Sequence, residues 1–174
     1  PDAGPGRTVA DLGGSHGGMV ARRVIRFRVR CGAVGSPFFQ VRIFPTQIGM
    51  RNWAVAHNPD KQARYADTEA AVHSWRRIVC VRGKWQRKPD TGWIVFHLGH
   101  IGGGIVSHEM THAAFYYLQL WRPQLFRVLL TSRKADEVLA WVQGWLVAQF
   151  WTKFYQARGR RVRGTGSYRR VRGI

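Results

Sequence analysis

Between Arg22 and Arg30 apolar and cationic residues alternate, with Ile25, Phe27 and Val29 on one side and Arg26, Arg28 and Arg30 on the other. This period of two predicts a half-buried strand with one face in a core and a basic stripe on the other. A solvated face is the ordinary role of such a stripe, and contact with nucleic acid is the alternative. Phe38 to Phe44 predicts a second strand, stopped by Pro45. Thr46 to Ala56 predicts a short helix capped by Thr46, with Ile48, Met50, Trp53 and Ala54 on its apolar side. A turn is expected at Asn58-Pro59-Asp60, and a brief helix or irregular segment from Thr68 to Trp75. Ile78 to Val81 predicts a strand, Lys84 to Thr91 a polar turn region, and Trp93 to Leu98 a further strand.

Beyond residue 100 the pattern becomes helical. Gly102-Gly103-Gly104 marks a turn out of the strand, and Ile105-Val106 and Ala113-Ala114-Phe115 flank a segment suited to a buried helix. A second helix is expected from Glu137 to Phe150, built of good helix formers. Strands followed by two helices predict an α+β fold.

The first of these helices carries His108-Glu109-Met110-Thr111-His112. On a helix, positions i and i+4 share a face one turn apart, so two imidazoles there can bind one zinc ion. The glutamate beside the first histidine can take the proton from a water that the zinc activates, so His-Glu-x-x-His describes amide hydrolysis by zinc-bound water. In a chain with seven histidines and three glutamates (Glu69, Glu109 and Glu137), the motif arises by chance in about one shuffled sequence in a hundred or fewer.

A catalytic zinc takes three protein ligands and keeps one position open. No histidine follows His112, and Phe115 and Leu118 stand where a longer motif would need glycine and histidine. The remaining downstream acids are Asp136 and Glu137. Glu137 is favoured, because Ala140 and Gly144 share its face and would let its helix approach the motif helix closely. Asp136 suits a helix cap or first turn, a role open to Glu137 as well. His97 and His100 are nearby in sequence, and either could steady an oxyanion or replace Glu137 as ligand. Tyr116, Tyr117 and Tyr155 are further candidate donors to an oxyanion or substrate.

His-Glu-x-x-His followed about two dozen residues later by a helix-borne glutamate resembles the gluzincin arrangement of zinc metallopeptidases. Ser107 to Ala114 together with Asp136 to Val147 resembles small metallopeptidase-like proteins of phage and prophage genomes. The resemblance covers roughly residues 93–150. It implies a minimal zincin-like domain, a small twisted sheet packed on the motif helix and on a second helix carrying the third ligand. It also implies zinc on His108, His112 and Glu137, Glu109 as base, and a peptide or protein substrate. In that layout the strand before the motif helix, here residues 93–98, is expected at a sheet edge where a peptide could pair. Larger gluzincins often carry a carboxylate four residues after the ligand glutamate, and this chain has Trp141 there.

Composition adds a second theme. The chain has 174 residues and a formal net charge of +19, which points to polyanions as neighbours. Residues 158–174 contain Arg158, Arg160, Arg161, Arg163, Arg169, Arg170 and Arg172 and no acid. The expected organisation is a glycine-rich lead over 1–20, including His16, one domain over 21–157, and a basic tail over 158–174. The tail could bind nucleic acid through Arg160, Arg161, Arg163, Arg169 and Arg170, or serve only solubility. A basic nucleic-acid-binding accessory protein with a structural or vestigial zinc site is therefore the alternative to a peptidase. The first twenty residues lack the apolar run of a signal peptide, and the apolar stretch near 138–151 is too short to span a membrane. Cys31 and Cys80 are isolated thiols. Together these features predict a cytoplasmic protein, in a bacterial host if phage-encoded.

Overall fold

The computed structural model describes residues 23–32, 35–58, 68–129 and 134–159. The glycine-rich lead, residues 59 and 60 of the expected turn, and the arginines from 160 onward lie outside them. Within them the fold is α+β, as the hydrophobic pattern predicts.

Four strands form a mixed sheet: β1 (Ile25–Arg30), β2 (Phe38–Phe44), β3 (Ala70–Ser74) and β6 (Asp90–His97). Their order is β1-β2-β6-β3. β6 runs parallel to β2 and antiparallel to β3. Strands β4 (Ile78–Val81) and β5 (Lys84–Arg87) form a separate two-stranded ribbon.

Two sequence expectations change here. The strand preceding the motif helix is central, not an edge: Thr91 to His97 is buried throughout, as a strand covered on both faces and paired on both sides should be. The edge beside that helix is β3, built from the segment expected to be a brief helix or irregular. The polar stretch after Lys84 supplies the second arm of the ribbon.

Gly92 fixes how closely β3 approaches. The register of β2 on β6 slips between Phe38 and Phe39, and Gly92 sits at that irregularity with φ +154°. A Cβ at this position would lie 2.0 Å from the carbonyl oxygen of His73 on β3. Glycine is required on both counts.

Helices cover both faces of the sheet. On one face lie α2 (Gly103–Trp121), α3 (Pro123–Leu129) and α4 (Lys134–Ala157). Val29, Val41, Ile43, Ile94 and Phe96 of the sheet share a core there with Val106, Met110, Ala113 and Leu118 of α2 and Val142, Leu146 and Phe150 of α4. On the other face α1 (Gln47–His57) covers Phe44, Trp93 and Val95 with Met50 and Ala54. Thr46 caps α1, its Oγ1 accepting from Gly49 N at 3.2 Å. No helix among the described residues is long and apolar enough to cross a membrane.

The glutamines that interrupt the apolar stretch of α4 dock it. Gln149 Nε2 donates to Arg30 O at 2.7 Å, and its Oε1 accepts from Arg30 N at 3.0 Å, so one side chain satisfies both backbone groups at the end of β1. Gln143 Nε2 donates to Ser107 Oγ at 2.9 Å, beside the motif.

Candidate metal centre

α2, with Gly102 at its N-cap, presents His108 and His112 on its exposed side while Val106, Met110, Ala113, Tyr117 and Leu118 enter the core. The two Nε2 atoms lie 3.1 Å apart, and the rings stand nearly perpendicular at 84°. Two nitrogens held about 2.0–2.1 Å from one tetrahedral ion lie about 3.3–3.4 Å apart. The pair is therefore about 0.2–0.3 Å closer than a shared tetrahedral ion would hold it, and it also suits one imidazole donating to the other. Burial, and then the neighbouring His108, lower the pKa of His112 and favour the neutral form that binds metals.

Glu109, beside His108, is buried, at 8% exposed. Burial raises its carboxyl to about 7. No hydrogen bond or ion pair engages it among the described residues. It lines a cleft of about 440 Å³ together with His108, Ile105 and Gly104 from α2 and Thr68, Glu69 and Ala70 at the start of β3. A carboxyl, an imidazole and an open sheet edge thus face one space.

The motif helix is braced from behind. Ser107 O accepts from Thr111 Oγ1 at 2.9 Å and from Gln143 Nε2 at 3.3 Å. The second bond ties the turn carrying His108 to α4; the first lies within α2.

Glu137 and Asp136 occupy the first turn of α4, and both are exposed. Among the described residues no three His, Cys, Asp or Glu side chains are gathered as a metal-binding group. His108 and His112 are brought together; Glu137 is not assembled with them. The approach of α4 to α2 also differs from expectation. Val142, Leu146 and Phe150 provide the buried contact, whereas Ala140, on the face of Glu137, is exposed. Trp141 stacks on Trp145, ring centroids 6.2 Å apart and planes within 6°.

Glu69, which lies upstream of the motif and not among the downstream acids the sequence points to, also belongs to the cleft. It pairs with His100, Oε1 to Nδ1 at 2.7 Å. The His100 ring lies 4.4 Å from that of His97, whose Nε2 is buried without a partner among the described residues. Burial is the first cause of the lowered His97 pKa, with His100 and Arg51 adding to it and Glu69 opposing. The signal available in the sequence was scarcity, since Glu69 is one of three glutamates.

The remaining candidates are dispersed. Tyr116 is half-buried on α2 and does not line the cleft. Tyr117 OH accepts from Arg122 Nε at 3.5 Å, and Tyr155 stacks on Trp151. No family model, curated protein or solved structure matches the chain.

Proposed function

We propose that the protein is a zinc-dependent peptidase in which His108 and His112 bind the metal and Glu109 is the general base, with Glu137, which this structure does not assemble with the pair, as the third ligand the sequence favours. The observation that carries this reading is the pair of Nε2 atoms 3.1 Å apart, beside a carboxyl raised to about 7 at the edge of a cleft. Zinc bound there would acidify water and polarise a scissile carbonyl. Glu109 takes a proton from the water as its oxygen attacks the carbonyl carbon. It then delivers the proton to the amide nitrogen as the C–N bond breaks. Among the described residues no strand lies beyond β3, and its first residue, Ala70, borders the same cleft, so an extended peptide could add to it as a further strand.

Glu69 is the alternative third ligand, favoured by its place in the cleft with His108. Zinc titration against a competing chelator separates the two. Loss of affinity in Glu137→Gln, with Glu69→Gln near the parent, supports Glu137; the reverse assigns Glu69. Glu109→Gln should keep bound zinc and lose cleavage of a peptide library. A parent protein that takes up no zinc ends the proposal.

A further inference from the structure

The β4–β5 ribbon stands apart from both cores: none of its residues belongs to either hydrophobic cluster. A two-stranded ribbon is marginal in water without such support. This one nevertheless leaves Trp85 75%, Ile78 53% and Val81 37% exposed. Its turn is built from Arg82 at φ 50° and Gly83 at φ 73°, the positive pair of a tight hairpin. Around these residues stand Arg76, Arg77, Arg82, Lys84, Arg87 and Lys88, with no acid from 76 to 89. Arg87 lies over Trp121, 4.3 Å from the ring centroid, and attaches the base of the ribbon to α2.

We infer that this ribbon binds nucleic acid, with Arg82 and Lys84 contacting phosphates and Trp85 stacking on a base. Two features must be satisfied by one partner, an exposed indole and a cluster of cations lacking carboxylates. A polyanion carrying flat apolar rings satisfies both. A lipid surface fits less well. The tip of the ribbon is Arg82-Gly83-Lys84, which would meet the membrane first. Of the exposed apolar side chains, Ile78 and Trp85 share one face with Arg87, and Val81 lies on the other beside Lys84, so neither face offers a wide apolar surface free of cations.

The test uses the full chain in chelator, so that it is independent of the zinc reading. Binding of a fluorescein-labelled oligothymidine strand, and of a duplex of the same length, is followed by anisotropy between about 50 and 200 mM salt. Arg82→Gln/Lys84→Gln should weaken binding and flatten the slope of log affinity against log salt by about 1.4 to 1.8, for two phosphate contacts. Trp85→Ala should weaken binding about tenfold and leave that slope unchanged. The charge-matched control Arg26→Gln/Arg28→Gln, on the β1 face, should have the smaller effect. The inference is overturned if the control weakens binding as much as the ribbon variant. It is also overturned if Trp85→Ala leaves oligonucleotide binding intact, or abolishes only binding to phosphatidylserine vesicles. Trp85 is exposed, so its replacement leaves the cores untouched, and circular dichroism checks that the variant is folded.

Discussion

Replacing Glu109 with glutamine should make the metal-free protein more stable near neutrality. The side chain is 8% exposed and has no partner among the described residues, and burial raises its carboxyl from 4.5 to about 7. Below pH 4.5 the group is protonated in both the folded and unfolded chain, and its burial adds no pH-dependent penalty. Between 4.5 and about 7 the unfolded chain releases the proton while the folded chain retains it, so stability falls as pH rises. Above that window the ionised carboxylate remains where burial disfavours it. At 1.36 kcal/mol per pH unit, the difference amounts to about 3 kcal/mol. This is a large fraction of the 5–15 kcal/mol that holds an ordinary domain together. Urea denaturation in chelator at pH 4.5 and pH 8 measures it. The stability of Glu109→Gln relative to the parent should rise by up to about 3 kcal/mol between the two pH values. Histidines that titrate in the same window cancel in that comparison. A parent-to-variant difference that stays constant with pH, or moves the other way, refutes the reasoning.

Two structural predictions follow from backbone contacts. Gly92→Ala should destabilise the fold by about 3 kcal/mol or more, measured by urea denaturation, because a Cβ would meet His73 O at 2.0 Å and φ is +154°. Gln149→Ala should cost about 1–3 kcal/mol in the same assay, since it leaves the backbone N–H and carbonyl of Arg30 without their partner.

The elements that sequence reading located are those whose local pattern and tertiary role agree. The arginine alternation of β1, the Thr46 cap of α1 and the periodicity around His108 each state their own conformation. β3 was harder to see because Ala70-Ala-Val-His-Ser74 has neither strong strand propensity nor clear alternation; pairing with β6 makes it a strand. The ribbon was half-seen because β5 is Lys-Trp-Gln-Arg, and Arg82-Gly83 is a less familiar hairpin signal than Asn-Gly. The central place of β6 is legible in its unbroken apolar run, Trp93-Ile94-Val95-Phe96, which leaves neither face polar. At the site, helical spacing alone predicts the meeting of His108 and His112. Glu69 arrives through strand order, which no local pattern encodes, and Glu137 depends on where the first turn of α4 lies relative to α2.

The docking of α4 has a consequence for how the protein is born. Val142, Leu146 and Phe150 complete the core over α2, Gln143 braces the turn bearing His108, and Gln149 closes the end of β1. All of these come after the motif in the chain, and synthesis delivers them after it. A nascent chain therefore carries both histidines and Glu109 well before it has the helix that steadies them. If the centre is hydrolytic, as proposed, this ordering is protective: a product that stops short of α4 carries the motif without the helix that braces it.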